Sequence, residues 1–525
     1  MEKRLILALA LSGLVLVVFG IFGQKTGKSP IARQDTKELA KPEEATLQPS
    51  SFLDCRGKEW MVETDVLKIV YSAKGGWIKN LFLKEYKDKE GREVDLINGE
   101  GAGGLWFDDK ALSQGDFKIN RNMAGNGNKE VELSFLYPNG LEVKKNFVFA
   151  PREYNFKFSI EFINHTNEEI KLDPLYLQWG PGIKEEEGVK KERELYSVIN
   201  ISHGGEIKRI KESKLKEPVN IRGEIKWFGL NSKYFLVALV PSENESNLRI
   251  RKTVDKGIEA GWNIFASPLG ANSKRQFSAN IFAGPKKHNL LTKQGNGLEK
   301  NIDFGFFSYL SIGLLFILNG INKFVANYGI AIVLLTLVVK IVLAPLTKKG
   351  FVSMQKMQRI QPEIEKLQKK HKDNPKGLNA DVMQLYKERK INPFGGCLPM
   401  VLQIPIFWAL FNTLRMTIEL RQAKFFGWIT DLSVPDTIFH LPFHLPIISN
   451  NVNLLPIIMV VTQIVQQNMM PANVKSNEQK LMFYAMPVVF AVMFYNFPSG
   501  LVLYWTLNNI FTIIQQYFLM KKLNS

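Results

Sequence analysis

The stretch Tyr328–Thr347 reads YGIAIVLLTLVVKIVLAPLT, and it decides the fold. From Gly329 to Leu346 it is apolar except for Thr336 and a single charge, Lys340. Eighteen residues of helix reach about 27 Å, close to the ~30 Å of bilayer hydrocarbon, so a membrane span is predicted. Lys340 lies about twelve residues into that span, near its middle. A charge at such depth costs ~2.5–3.5 kcal/mol on insertion scales and is normally kept where it faces water or a partner. A lysine near a helix end can instead snorkel to the headgroups, but from this depth the reach is strained. Thr336 falls one turn earlier on the same face.

Working outward, further apolar segments occupy Leu5–Phe22, Leu398–Thr417, Leu454–Met470, Leu481–Tyr495 and Gly500–Met520. The segment Phe304–Asn319 is ambiguous, and charge resolves it. Net charge is +18 overall, and the Lys348–Asn392 loop alone holds twelve Lys/Arg against five Asp/Glu. The positive-inside rule puts such a loop in the cytoplasm. With Lys3 and Arg4 also inside, six spans satisfy that rule and seven do not. Phe304–Asn319 is therefore expected to lie along the outer interface, as its aromatics and its Ser308, Ser311 and Asn319 suit. Both termini are then cytoplasmic. The N-terminal segment is expected to be a retained anchor: its 18-residue run exceeds a usual signal-peptide core, and no clear small-x-small cleavage site follows it.

The expected fold class is a multi-domain membrane protein, an α-helical bundle of six spans joined to an external antiparallel β-sandwich. Residues 1–23 form the anchor, and 24–51 a tether too polar to bury a core. Residues 52–300 carry period-two alternation at Val66–Tyr71, Glu130–Tyr137, Leu141–Phe149, Tyr154–Ile163, Tyr234–Val240 and Gln276–Phe282, separated by turns such as Pro138-Asn139-Gly140. That pattern predicts the sandwich. Residues 301–525 hold an interfacial helix at 303–321 and spans near 329–347, 398–417, 454–470, 481–496 and 500–520. Between the first two of those spans, 348–392 is expected to fold as a helical hairpin. Met354, Met357, Ile360, Ile364 and Leu367 make one apolar stripe, and Val382, Met383 and Tyr386 a second, across a turn at Asp373–Gly377.

Polar groups recur inside the other spans. Leu454–Met470 carries Thr462, Gln463, Gln466 and Gln467, and the last span carries Trp505, Asn508, Asn509, Thr512, Gln515 and Gln516. Such side chains can simply bond neighbouring helices. Three spans contributing them together favours a shared hydrated cavity lined by Lys340, Thr336, Gln463, Gln466, Gln467, Trp505, Asn508 and Thr512. The C-terminal spans contain no Asp or Glu, the usual proton relay of coupled transporters, so a solute transporter with a cation in its cavity is the weaker alternative.

Several patterns carry no chemistry. Gly23-Gln24-Lys25-Thr26-Gly27-Lys28-Ser29 is one residue short of a phosphate loop and follows no strand. Pro442 interrupts His440 and His444 as a helical metal pair, and Gly99–Gly104 reads as a loop. Cys55 and Cys397 define neither a disulfide framework nor a metal cluster. No metal, cofactor, catalytic group or nucleic-acid specificity is expected.

Four stretches resemble the YidC insertase family: YGIAIVLLTLVVKIVLAPLT from Tyr328, INPFGGCLPMVLQIPIFWALF from Ile391, ELRQAKFFGWITDLS from Glu419 and FPSGLVLYWTLNNIFTIIQQ from Phe497. They cover most of the chain from Gly329 onward, and IFAGPKKHNLL from Ile281 resembles the end of the external domain in Gram-negative members. The resemblance implies a non-enzymatic insertase and folding chaperone of the bacterial inner membrane with a large periplasmic domain. It implies a five-span core around a hydrophilic groove, open to the cytoplasm and lipid and closed toward the outside. Lys340 takes the place of the groove's charged residue, which is Arg in many members; Arg stays charged under almost any burial, whereas Lys can lose its proton. By the same resemblance, Thr336, Gln466 or Gln467, and Trp505 line that groove. Nascent membrane proteins are the implied clients, with the Sec translocon, the ribosome and the lipid bilayer as partners. Met354, Met357, Ile364 and Met383 would meet clients or ribosome, since Met packs adaptably. A second rival, a carbohydrate-active external sandwich, shows no paired carboxylates.

Overall fold

The computed structural model describes residues 58–97, 103–123, 127–171, 174–183, 196–243, 245–253, 257–265, 268–371, 374–392, 398–445, 449–469 and 477–524. The expected anchor and tether lie outside these. The chain divides into two compact units, Met1–Ile302 and Asp303–Ser525, and each is taken by itself.

The first unit is antiparallel β-structure. Its strands are β1 (Glu59–Glu63), β2 (Leu67–Ser72), β3 (Ile78–Lys87), β4 (Glu93–Asp95), β5 (Gly103–Phe107), β6 (Lys118–Met123), β7 (Lys129–Leu136), β8 (Leu141–Phe149), β9 (Asn155–Asn164), β10 (Leu175–Gly180), β11 (Val198–His203), β12 (Glu206–Lys211), β13 (Val219–Asn231), β14 (Phe235–Pro241), β15 (Glu245–Lys252), β16 (Ile258–Phe265) and β17 (Lys274–Pro285). Short helices α1 (Lys110–Gln114) and α2 (His288–Gln294) are the only longer departures among its described residues. All six alternating segments fall on strands. One sheet runs β1-β2-β3-β5-β10-β16-β15 to the first half of β13. The other runs β6-β7-β8-β9-β17-β14 to the second half of β13. β13 thus passes from one sheet to the other, with its Val219–Glu224 half paired to β15 and its Phe228–Asn231 half to β14.

The core shows the period directly. Leu141, Val143, Phe147 and Phe149 of β8 and Phe156, Phe158, Ile160 and Phe162 of β9 are buried, and Phe147 packs on Phe158 at 5.2 Å and on Tyr71 at 5.1 Å. The same inward register places Lys145 in the core, fully buried. Its Nζ donates to Leu105 O (2.8 Å), Gly76 O (2.9 Å) and Gly75 O (3.2 Å) and stands 4.5 Å from the Phe107 ring centre. A buried amine is tolerated where carbonyls accept its N–H groups and a ring face replaces its water.

One loop expectation is corrected. Gly103 and Gly104 open β5, and a Cβ on Gly104 would stand 2.8 Å from the Trp179 ring. Glycine there permits close packing within a strand. Residues 99–102 lie outside the described residues.

The second unit is helical: α3 (Ser308–Val325), α4 (Tyr328–Arg359), α5 (Gln361–Lys370), α6 (Pro375–Glu388), α7 (Leu398–Met416), α8 (Leu454–Asn468), α9 (Asn477–Phe494) and α10 (Ser499–Asn524). Asn327 caps α4, its Oδ1 accepting the Ile330 N–H at 3.1 Å. α4 has 32 residues and continues past the expected span end, through Pro345. The hairpin's first stripe is therefore divided: Met354 and Met357 ride on the end of α4, while Ile364 and Leu367 belong to α5. Pro362 is the cause of the break. It has no N–H to offer the carbonyl of Gln358, and its ring crowds that carbonyl. α5 and α6 then close on a small core of Ile360, Ile364, Leu385 and Ile391, with Met357, Leu367, Val382 and Tyr386 against it.

Between α7 and α8 the structure adds a hairpin that the sequence reading did not assign, β18 (Thr437–Leu445) with β19 (Ser449–Asn453). Pro442 within β18 is the feature that argues against a strand there, and an edge position tolerates it.

Candidate functional site

The polar residues of α4, α8 and α10 meet along one seam. α10 packs against both α8 and α4. Lys340 Nζ donates to Thr512 Oγ1 at 2.6 Å, and Thr512 donates its own proton to Asn508 O at 2.6 Å. The lysine thus reaches across to the last helix and not along its own. Asn509 Nδ2 lies 3.4 Å from both Met459 O and Thr462 Oγ1, joining α10 to α8.

Several other polar atoms here are closed off from solvent without a hydrogen-bond partner among the described residues: Gln463 Oε1, Gln467 Oε1, Gln516 Oε1 and Trp505 Nε1. Leaving such a group unpaired costs about 1–3 kcal/mol. Two of them stand on α8 and two on α10, and each calls for water or a polar guest. The Trp505 ring is held by Phe407 (5.0 Å), Phe494 (5.3 Å) and Phe490 (5.6 Å), which fixes the direction of its N–H. Gln466 of α8 and Asn508 of α10 are half-buried.

One expected groove residue and one expected hairpin contact are placed differently. Thr336 is 1% exposed and its hydroxyl donates to Ile332 O at 2.6 Å, so it is closed into its own helix. Ile364 is 7% exposed and forms the hairpin's core, whereas Met383 is 48% exposed on the hairpin surface and Met354 and Met357 are half-buried. The sequence reading left Gln516 out of the expected site, although Asn508, Thr512 and Gln516 recur every four residues. It also passed over Gln403, whose Nε2 donates to Tyr504 OH at 2.8 Å; a lone amide in the apolar run of α7 is the signal that could have found it.

The loop between α7 and α8 is fastened over the starts of α8 and α10. Asp436, 5% exposed, accepts the Leu455 N–H (2.6 Å) and the Trp428 indole N–H (2.9 Å). Burial pushes its carboxyl above the usual range, and those two donors pull back. Ser499 N donates to Val434 O (2.8 Å) and Gly500 N to Leu432 O (3.0 Å). Fully buried Asn453 donates to Tyr495 O (2.7 Å) and accepts from Thr437 Oγ1 (2.7 Å).

Apolar helices joined by a polar seam, with a large β-unit on the same chain, define a membrane protein that keeps polar groups within its helical bundle. α3 and α4 are each long and apolar enough to cross a bilayer. Residues 59–317 match the family described as YidC periplasmic domain, and residues 320–525 the family described as 60Kd inner membrane protein. The membrane protein insertase YidC of Geotalea daltonii is 34% identical over 548 residues, the whole of both chains. That of Pelobacter propionicus is 34% identical over 553 residues, again covering both completely. A solved structure, an active YidC insertase with its first transmembrane domain resolved, aligns over 98% of this chain and 99% of its own at 19% identity, with a TM-score of 0.39. The chain belongs to the YidC membrane protein insertase family.

Proposed function

We propose that this insertase passes its clients through the seam between α4, α8 and α10, with Lys340 as its attracting cation and Gln463, Gln466, Gln467, Trp505, Asn508, Thr512 and Gln516 as its wet lining. One observation carries the reading: Lys340 is hydrogen-bonded across to Thr512 of α10, and α8 and α10, which pack together, bear four buried polar atoms that lack partners among the described residues. A client's polar outer segment entering a hydrated seam has less hydrocarbon to cross. Its apolar segment meanwhile slides along the bilayer-facing sides of the helices, where Leu337, Val338, Ile341 and Val342 of α4 and Val461 and Val465 of α8 are exposed. Burying that segment supplies the drive, at ~25 cal/mol per Å² of apolar surface, so no bond need be made or broken. The loop fastened by Asp436 and Asn453 closes the outer end. Six spans with both termini cytoplasmic, and contacts of the Met383 surface with clients, ribosome or Sec translocon, complete the reading.

A photo-crosslinker placed in turn at Gln467 and at Val461 of α8 tests it against a ribosome-arrested client. Crosslinks from Gln467 to the client's polar segment and from Val461 to its apolar segment are expected. Polar-segment crosslinks from Val461 alone would reject the seam.

A further inference from the structure

The β18–β19 ribbon between α7 and α8 has two unlike faces, and the apolar one is uncovered. The ribbon is a two-stranded sheet of its own, paired to no other strand among the described residues. Successive cross-strand pairs point to opposite faces. Phe439 stands opposite Val452 on one face, and His440 opposite Asn451 on the other, with His440 Nδ1 and Asn451 Oδ1 2.8 Å apart. Phe439 is 53% exposed, and Ile438 and Phe443 of the same strand are exposed as well. A two-stranded ribbon is marginal in water by itself, and clustered apolar side chains left in water mark a surface that meets a partner.

Position and charge say what that partner is. β19 ends at Asn453 and α8 begins at Leu454, with no residue between them. The joint is fixed: Tyr495 OH donates to Asn451 O (2.8 Å) and accepts the Asn453 N–H (3.2 Å), while Asn453 Nδ2 donates to Tyr495 O (2.7 Å). The ribbon is thus held at the start of a helix whose first turns expose Ile457 and Val461. Trp428, 40% exposed, is fixed at the same end by Asp436, which accepts both its indole N–H and the Leu455 N–H. An indole with its N–H bonded and its ring uncovered suits the boundary between hydrocarbon and water.

From Thr437 to Val474 the chain contains no Asp, Glu, Lys or Arg, and its only titratable side chains are His440 and His444. Such a ribbon enters a headgroup layer without stripping water from a fixed charge. The bilayer is also the one apolar phase continuous with the exposed side of α8. We propose that the ribbon lies in the headgroup layer of the outer leaflet as a lipid anchor for the α7–α8 loop. Phe439 and Val452 face the acyl chains, and His440 and Asn451 face water. The inference rests on α8 crossing the bilayer with its start outside, as in the function proposed above.

The test uses the full chain, with Cys55 and Cys397 replaced, in phosphatidylcholine nanodiscs. The fluorophore NBD is attached through Phe439→Cys or His440→Cys. Nanodiscs leave both bilayer faces open to a soluble quencher, so the readout does not depend on side. At 439, lipids bearing a doxyl group high on the acyl chain are expected to quench strongly, and iodide several-fold less than at 440. Val452→Cys, on the same face, serves if Phe439→Cys does not fold. Equal iodide quenching at 439 and 440 would mean a solvated face and overturn the proposal. Shielding from iodide without doxyl quenching would mean that protein, a second copy included, covers the face, and would overturn it too. Labelling of His440→Cys from outside intact cells checks the side separately. Protection there, with doxyl quenching at 439 kept, would overturn the outward reading of the loop and leave its lipid contact standing.

Discussion

Lys340 and Thr512 are 172 positions apart, and a 2.6 Å hydrogen bond joins them across α4 and α10. That bond decides between two fates for the lysine. A snorkelling side chain would run along α4 to the headgroups, whereas this one is turned toward a neighbouring helix and its amides.

Charge at position 340 should therefore govern which clients insert. At roughly 10 Å and an effective dielectric of about 20, a unit charge contributes ~1.7 kcal/mol. Lys340→Glu replaces attraction by repulsion and should reduce insertion of clients with acidic outer segments about ten-fold or more. Lys340→Arg should be tolerated, and Lys340→Ala should fall between them because the amides still hold water. Thr512→Val should produce a smaller loss than Lys340→Glu. Protease protection of one client bearing acidic, neutral or basic outer segments reads the effect; equal insertion of all three by the Glu variant would remove Lys340 from the mechanism.

The hairpin separates packing from contact. Ile364→Ala empties part of a buried cluster and should cost ~2–4 kcal/mol, exposing the α5–α6 turn to limited proteolysis. Met383→Ala touches a surface side chain and should leave stability within about 0.5 kcal/mol while weakening crosslinks to nascent chains. If Met383→Ala leaves those crosslinks unchanged, the hairpin surface is not a client contact.

Much of this was legible locally and little of it at long range. Period-two alternation located six strands, because each strand buries one face. It could not show that β13 serves two sheets, which depends on pairing partners far along the chain. LYLQWG of β10 carries one amide, Gln178, within an apolar run, but its cross-strand neighbours Trp106 and Gly261 lie far along the chain and cannot be read from it. Lys340 stood out because a charge is rare in an apolar span. Its partner did not, since helix packing and not spacing brings α10 to α4. Ile364 was assigned to a contact surface because an amphipathic stripe does not say what covers it, and here a second helix does.

Topology can be read with single cysteines, introduced after Cys55 and Cys397 are replaced. Ser242 and His440, both exposed, should label from outside, and Asn374, exposed at the start of α6, should stay protected in intact cells. Asp436 would be a poor reporter, being buried beneath Trp428 and Leu455 N. A cysteine at Ser476 should also be protected. Labelling of Asn374 from outside would reverse the arrangement and make α3 a span.

Lys145 predicts how the β-unit responds to pH. Burial pushes its amine well below the ordinary 10.5, while three carbonyls and the Phe107 ring moderate the shift by favouring the ammonium. Between its folded value and 10.5 the folded state binds fewer protons than the unfolded chain, so stability should rise with pH through that window. Below the folded value both states carry the proton and the dependence levels off. Lys145→Met keeps the stem's volume but leaves Gly75, Gly76 and Leu105 carbonyls without their donor, a loss of ~2–4 kcal/mol. It also removes the titrating group, and with it that part of the slope. Urea unfolding of the full chain between pH 6 and pH 10, followed by tryptophan fluorescence, should show the parent gaining stability relative to the variant as pH rises. Parallel curves for the two proteins would mean that Lys145 stays protonated in the folded core throughout, held by its carbonyls against the pull of burial.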